Sequence, residues 1–354
     1  MKPVAHAAPG MDDRARDEAR RQSFIRWSAS EGPYRRIIHG YRVYNRHDGS
    51  AQQNLIEPSE IFHQYLRSML DDREIEQYRA DGYLAVEGVF DPRELQELSS
   101  VTDEFVERSR GVTENDAVFD LEPGHSAESP KLRRLKSPSL QHTVYDRAMR
   151  NEKVLDIVEQ LIGPNLWING DKLNIKAAEV GSPVEWHQDW AFYPHTNDDL
   201  LAVGIHLDEA TLENGCLMVI PGSHTGPIMN HNQNGHFVGA VTEPGFDPSR
   251  AVPVLVKAGG ISIHHARTLH GSAPNKSGKP RRLILFQYTA NDAWPLHPYP
   301  GDWEKYTKFI VRGEPVLQPR MEALPVRLPL PKPIREGSIY EIQRDLKDPV
   351  FAEG

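Results

Sequence analysis

The segment VEWHQDW, which begins at Val184, places His187 and Asp189 two residues apart. In an extended strand the side chains of residues i and i+2 point to the same face, so an imidazole and a carboxylate would converge on one point. Such a pair can bind a metal ion, but it can also form a hydrogen-bonded pair in a core. The pattern His-x-Asp also arises by chance in many proteins. The segment alone leaves these three interpretations open.

A second histidine with chemical potential lies in the segment HHARTLHGSAPNKSGKPRRLILFQY. His270 follows the strand-like stretch GGISIHHA, and Arg281 stands at the start of a later apolar strand. Two neutral imidazoles and one carboxylate on one face of a metal leave positions open, as in non-heme Fe(II) sites that activate oxygen. A buried arginine nearby would offer a planar fork to a carboxylate co-substrate. A surface position for Arg281 is the alternative, since Arg282 is an equally suitable outward neighbour.

Composition excludes several other classes of function. The 354 residues are 38% apolar and 26% charged, which is typical of a folded globular protein. A formal net charge of −9 argues against nucleic acid as a partner, because phosphate binding needs a basic surface. The sequence has no apolar run near the roughly 20 residues needed to span a bilayer, so no membrane partner is expected. The single cysteine, Cys216, favours a reducing compartment, and we expect a cytoplasmic location.

Helix signals come first along the chain and strand signals later. The stretch DDREIEQYRADG predicts a helix that ends at Gly82, and Asp91, Pro92 and Glu94 form a capping pattern before an apolar stripe. A third helix is predicted to stop at Gly163. Short β-rich segments separated by turn signals follow. This order predicts an α+β fold, with a double-stranded β-helix (jelly-roll, cupin-like) core buttressed by N-terminal helices.

Three motifs in order make the sequence recognisable. They are HQD at His187, then DLLAVGIHLDEATLENGCLMVIPGSH, then LHGSAPN with Arg281 beyond it. The chain resembles the phytanoyl-CoA dioxygenase family of iron(II)- and 2-oxoglutarate-dependent oxygenases over roughly residues 75–295. Each motif is weak alone, but their order makes the resemblance specific.

The resemblance implies roles for the matching residues. His187, Asp189 and His270 would be the iron ligands and therefore the catalytic centre. The adjacent His264 and His265 face opposite sides of their strand, and the HGS context favours His270 over both. Arg281 would pair with the distal carboxylate of 2-oxoglutarate. Further co-substrate contacts are implied at Ser272, Gln188 and Lys172, although Lys172 can equally be a solvent-facing strand residue.

One departure from the family pattern concerns Gly204. The family usually carries a tryptophan there, packed near the co-substrate. Glycine would open that space, and His206, on the same strand face, could then reach 2-oxoglutarate or the substrate. A buried histidine bonded to a carbonyl group is the alternative.

The implied activity is a dioxygenase reaction that uses Fe(II), 2-oxoglutarate and O2. It would hydroxylate, or otherwise oxidise, an unactivated C–H bond of a small organic metabolite, with succinate and CO2 as co-products. Because related halogenases have a small residue at the carboxylate position, Asp189 favours hydroxylation, desaturation or cyclisation. No basic cluster for the phosphates of an acyl-CoA stands out. Two alternatives remain open, a cupin-like metalloenzyme that does not use 2-oxoglutarate and a non-catalytic binding protein on the same barrel.

The predicted domain organisation has three parts. Residues 1–70 form an N-terminal extension, partly mobile, whose aromatic residues could support a homodimer. Residues 71–310 form the oxygenase domain. Residues 311–354 form an extended, Pro-rich tail that packs on the core.

Overall fold

Helices and two antiparallel sheets form the part of the chain that the structure describes. The structure is a computed structural model and describes residues 69–296, 302–326 and 330–351. These residues belong to one unit, Glu57–Gly354. Of the predicted N-terminal extension, everything before Met69 lies outside the described residues.

Local capping signals place the first helices. The described helices are α1 (Asp72–Asp81), α2 (Pro92–Arg108), α3 (Pro138–Gln141), α4 (Thr143–Met149), α5 (Glu152–Ile162), α6 (Trp303–Lys308) and α7 (Ile339–Ile342). Asp71 and Glu74 bond each other's backbone N–H groups at the start of α1, and Gly82 ends that helix with a φ of 76°. Asp91 and Glu94 form the same capping box at α2. The three predicted helices are therefore confirmed, with α5 followed by Gly163.

The strands pair into two larger sheets and one small hairpin. In chain order they are β1 (Tyr83–Val86), β2 (Phe119–Leu121), β3 (Leu132–Lys136), β4 (Leu166–Lys176), β5 (Val184–His187), β6 (Leu200–His206), β7 (Leu217–Val219), β8 (Asn232–Gln233), β9 (His236–Phe237), β10 (Val252–Val254), β11 (Ile261–His265), β12 (His270–Ser272), β13 (Arg281–Ala290) and β14 (Ile310–Arg312). The main sheet has the order β1-β11-β6-β13-β4-β3-β2, with β14 also paired to β4. The second sheet has the order β10-β7-β12-β5, and β8 pairs with β9. The result is a mixed fold of helices and antiparallel sheets.

The main sheet has two chemically different faces. Successive side chains of a strand alternate between faces, so one set packs against the helices and the other points away from them. The set in the hydrophobic core with α2 and α5 includes Leu173, Ile175, Val203, Ile205, Ile284 and Phe286. The alternate set lines a cavity and includes Lys172, Asn174, Ala202, Leu283 and Leu285. Residues of β5, β7 and β12 also line this cavity, which therefore lies between the two sheets.

The C-terminal segment covers part of the second sheet. The backbone N–H groups of Val350 and Phe351 donate to the Glu185 carboxylate beside β5. The Phe351 ring stacks on Trp186 with ring centroids 5.7 Å apart. None of the described helices has the length and apolar character needed to cross a membrane.

Candidate active site

The two key histidines lie on neighbouring strands of the second sheet. His187 ends β5 and is the register partner of His270, which begins β12. Their ring centroids are 4.0 Å apart. Gln188 keeps an extended backbone before Asp189 opens a short 3-10 turn, and His187 Nε2 lies 3.8 Å from Asp189 Oδ1. The expected convergence of imidazole and carboxylate is therefore present, although the regular strand ends at His187, two residues before Asp189.

These three side chains form a compact donor set. One ligand atom from each of His187, Asp189 and His270 lies within 4.8 Å of the others, and all three residues are buried. His187 Nδ1 donates to the Glu185 carbonyl at 2.8 Å, and His270 Nδ1 donates to the Thr268 carbonyl at 2.9 Å. Because Nδ1 carries the proton, Nε2 of each ring keeps a lone pair for a metal ion.

The electrostatics of the donor set suit metal binding. Burial lowers the pKa of His187 to about 4 and holds the pKa of His270 well below its usual value. Burial opposes ionisation of Asp189, but a hydrogen bond with His264 and the positive charge of Lys172 outweigh it, so its pKa is well below normal. Both rings are thus neutral and the carboxylate is charged near neutral pH. That is the protonation state that a metal ion requires.

A buried cation shares the cavity with this donor set. Arg281 is 3% exposed and lines the same cavity, which has a volume of about 60 Å³. Its Nε atom has no hydrogen-bond partner among the described residues. Two imidazoles and one carboxylate fit non-heme Fe(II), and the guanidinium fits a carboxylate of 2-oxoglutarate. The residues present therefore fit both groups.

A family model described as phytanoyl-CoA dioxygenase matches residues 78–283. The chain belongs to the phytanoyl-CoA dioxygenase family.

Individual relatives of this family agree with the match. A probable alpha-ketoglutarate-dependent hypophosphite dioxygenase from Stutzerimonas stutzeri is 36% identical, over 76% of this chain and 96% of that protein. An L-proline trans-4-hydroxylase from Streptomyces griseoviridis is 29% identical, over 62% of this chain and 87% of that protein. The iron-bound crystal structure of EctD from S. alaskensis superposes with a TM-score of 0.56 at 23% identity, over 71% of this chain and 87% of that chain, and shows the shared fold. The protein is an Fe(II)- and 2-oxoglutarate-dependent dioxygenase.

Adjacent arginines at the start of β13 point in opposite directions in this family member. Arg281 faces the cavity. Arg282 faces outward, where its Nη2 and Nη1 atoms donate to Asp208 at 2.7 Å and to Asp103 at 2.8 Å. The alternative in which Arg281 lies on the surface is therefore wrong.

Two further residues expected to contact the co-substrate lie at the cavity. Ser272 and Lys172 both line it together with Arg281. The ammonium of Lys172 is attracted to the Asp189 carboxylate, although burial dominates and lowers its pKa. Lys172 is therefore not a solvent-facing strand residue.

Gln188 lies elsewhere than expected. It is fully buried and absent from the cavity lining. Its side-chain nitrogen donates to the carbonyl groups of Pro227 and Arg267, and its oxygen accepts from the backbone N–H of Met229. All of these partners are backbone groups of two loops, so Gln188 fixes the loops behind the metal-binding segment.

His206 also differs from the expectation. A Cβ atom at Gly204 would lie 2.8 Å from Ser262 Oγ and 3.0 Å from Leu283 Cδ1, so glycine opens no free space here. His206 is fully buried behind the cavity wall, and its Nε2 lies 3.0 Å from Ser262 Oγ. Burial and the charge of Arg281 lower its pKa to about 3. His206 therefore reaches the cavity only through Ser262, which lines it.

Several residues of the site were not found from the sequence. His264 lines the cavity, with Nε2 at 3.5 Å from Asp189 Oδ2. Arg134 of β3 and Tyr340 of α7 complete the wall. Lys176 donates to the carbonyl groups of Ser182 and Ala273 at 2.6 and 2.7 Å and so fixes the chain next to Ser272. Strand alternation could have shown the inward direction of His264, but no local signal identifies Arg134 or Tyr340.

Proposed function

We propose that the protein hydroxylates a small substrate at a single iron, which His187, Asp189 and His270 would hold. The observation that carries this proposal is the buried donor set with ligand atoms within 4.8 Å, in one cavity with Arg281. When bound, Fe(II) with 2-oxoglutarate and O2 supplies the oxidising power for cleavage of an unactivated C–H bond, with succinate and CO2 as co-products. Asp189 fills the carboxylate position and favours hydroxylation, desaturation or cyclisation over halogenation.

The chain's own residues would bind and orient the reactants. Arg281 and Ser272, which line the same cavity, would hold the distal carboxylate of 2-oxoglutarate through hydrogen bonds. Lys172 would contribute a second positive charge to the co-substrate. Gln188 and His206 would act as positioning residues, Gln188 through its loops and His206 through Ser262.

The finer architecture is part of the same proposal. The two facing antiparallel sheets support a double-stranded β-helix, or jelly-roll, core within an oxygenase domain of residues 71–310. Residues 311–354 would form a separate tail packed on that core. The single cysteine supports a cytoplasmic location.

The first test is the binding of Fe(II) and 2-oxoglutarate without oxygen. Adding both to the protein under anaerobic conditions should give the weak visible absorption band of an Fe(II)–2-oxoglutarate complex. His270→Ala should abolish the band while the protein stays folded by circular dichroism. A variant that keeps stoichiometric iron would show that His270 is not a ligand.

The adjacent arginines provide a matched pair that separates this function from a metalloenzyme without 2-oxoglutarate. We expect Arg281→Ala to raise the KM for 2-oxoglutarate on the order of 100-fold, because a buried ion pair loses one partner. Arg282→Ala removes the same charge from the outer face and should leave this KM unchanged. Equal values in both variants would favour the cupin-like alternative. Absence of both the band and succinate release would favour a non-catalytic binding protein.

A further inference from the structure

Arg134 is a buried cation that the proposed reaction does not use. It lies in the middle of β3, is 9% exposed and lines the cavity. Its Nε atom donates to Asn174 Oδ1 at 3.0 Å on the adjacent strand β4. Its Nη2 atom is buried and has no hydrogen-bond partner among the described residues. One edge of this guanidinium is therefore available to a ligand in the cavity.

No carboxylate among the described residues forms an ion pair with Arg134. Asp120 is its register partner on β2, but its carboxylate is 2.8 Å from Lys136 Nζ. Glu341 pairs with Arg133 instead. The Tyr340 ring centroid lies 5.3 Å from the Arg134 guanidinium carbon, which is a cation–π contact. Asp120 attracts the guanidinium without forming an ion pair with it. A buried cation without an ion pair is costly, so the arrangement points to an anionic ligand.

The charges that line the cavity lead to the same conclusion. The lining residues include the cations Arg134, Lys172 and Arg281 and a single carboxylate, Asp189. The formal charges of Fe(II) and of 2-oxoglutarate cancel. The occupied cavity would therefore keep two positive charges beyond those that its own groups balance.

We propose that the substrate is a small anion, a carboxylate or a phosphorus oxyanion, whose charged group binds the free edge of Arg134. This inference rests on the proposed function and names its substrate class. Planar guanidinium donors match the oxygen atoms of both kinds of anion. The same cavity also has to hold the metal and 2-oxoglutarate, which favours a small substrate. The relative named for hypophosphite, itself a small phosphorus oxyanion, supports this class. The basic cluster that the sequence does not reveal is assembled from three separate strands.

The test measures anion binding rather than turnover. The probes are hypophosphite, phosphite, acetate and L-proline, each titrated anaerobically into the protein loaded with Fe(II) and 2-oxoglutarate. Binding is followed by calorimetry and by the change in the visible band. L-prolinamide, which lacks the carboxylate, is the control ligand. We expect at least one of these probes to bind. Binding of hypophosphite or phosphite would identify a phosphorus oxyanion as the substrate group, and binding of acetate or L-proline would identify a carboxylate. L-prolinamide should not bind.

Variants assign that binding to Arg134. Arg134→Gln should weaken the anion that binds by about 10- to 30-fold, the loss of one or two charge-assisted hydrogen bonds, with the affinity for 2-oxoglutarate changed less than about twofold. Arg134→Lys should recover part of the loss. Arg147→Gln, which removes a cation from an exposed ion pair, should change neither affinity. An intact visible band shows that each variant is folded and loaded.

Three results would overturn the inference. The first is a normal band with no binding of any of the four probes, in which case the protein is a dioxygenase whose substrate is not a small carboxylate or phosphorus oxyanion. The second is a loss in Arg134→Gln that falls on 2-oxoglutarate instead of the anion. The third is equal binding of L-proline and L-prolinamide. Absence of the band in the wild-type protein would instead contradict the proposed function.

Discussion

Each histidine of the candidate metal site is fixed by a hydrogen bond to a carbonyl group two residues earlier. His187 bonds to Glu185 and His270 bonds to Thr268. This local contact sets the tautomer of each ring and aims Nε2 into the site before any metal arrives. The backbone of β5 and of the turn before β12 therefore orients both imidazole rings.

His264 is a supporting residue for the carboxylate ligand. Its Nε2 lies 3.5 Å from Asp189 Oδ2, on the side away from the 3.8 Å contact between His187 and Oδ1. We expect His264→Phe to weaken Fe(II) binding by about 10- to 100-fold, the usual cost of losing a group that orients a ligand. Competition titration with a chromophoric chelator measures this. His265→Phe, on the opposite face of β11, is the control, and equal affinities in the two variants would contradict the role.

The choice between Arg281 and Arg282 shows the limit of sequence analysis at the scale of a residue. Both lie at the first two positions of β13, and alternation says only that they face opposite sides. Which of them faces inward depends on the register with β4, where Arg281 lies opposite Lys176. That register is a long-range property. Only the motif order, through the family resemblance, indicated the correct arginine.

At the scale of elements, the helices were predictable and the cavity was only partly so. Capping boxes at Asp71 and Asp91 are local signals, and the structure confirms both helices. The His187 and His270 segments were found because each carries its own motif. Arg134 was missed because its burial and its hydrogen bond depend on Asn174 of β4, which is 40 residues away along the chain. Burial of a charge cannot be read from a segment whose neighbours are distant in sequence.

The C-terminal segment supplies part of the cavity wall from beyond residue 283, where the family match ends. Ile339 and Tyr340 line the cavity. Glu341 anchors α7 through a 2.5 Å ion pair with Arg133, which is 2% exposed. Gln343 adds a hydrogen bond to the carbonyl group of Gly239 at 2.8 Å. The segment predicted as an extended tail on the core thus also helps to close the cavity.

Closure by α7 predicts a role for Tyr340 in excluding water. We expect Tyr340→Ala to raise succinate release in the absence of substrate several-fold, because water then enters the cavity and consumption of 2-oxoglutarate loses its coupling. Succinate formed per enzyme per minute is the measurement. Ile342→Ala creates a cavity on the same helix at a buried position outside the cavity lining, and should not raise succinate release. If succinate release rises equally in both variants, the cause is loosened packing of α7 and not a specific role of Tyr340 in excluding water.

At the scale of the whole molecule, the net charge and the site have opposite signs. The chain carries a formal charge of −9, but three cations and one carboxylate line its cavity. The total charge predicts that a polyanion such as nucleic acid is not a partner. It carries no information about a small anion, because the sign of a buried site depends on a few residues brought together by the sheet. The charge of the ligand that the cavity could bind is therefore set by the residues that line it and not by the net charge of the chain.

Burial of many neutral histidines predicts an acid-sensitive fold. Burial is the main cause that lowers the pKa to about 4 for His187, His195, His231 and His265, and to about 3 for His206. In the unfolded chain these rings take up protons as the pH falls below 6.5, while in the folded chain they stay neutral down to about pH 4. The unfolded state therefore binds more protons between these values. These rings contribute fully to the free energy of unfolding above pH 6.5. As the pH falls from 6.5 towards 4, the free energy of unfolding decreases by about 1.4 kcal/mol per pH unit for each ring.

Denaturant unfolding of the metal-free protein at several pH values from about 7.5 to 4.5 measures this loss. The free energy of unfolding should be level near pH 7.5 and fall steeply below pH 6.5. His206→Asn removes one such ring away from the metal ligands and should make the slope shallower by about one proton, whatever its effect on stability at neutral pH. A free energy of unfolding that stays constant from pH 7 to pH 5 would mean that these rings are solvated in the folded protein. In that case the dry, neutral site that the metal requires would not exist.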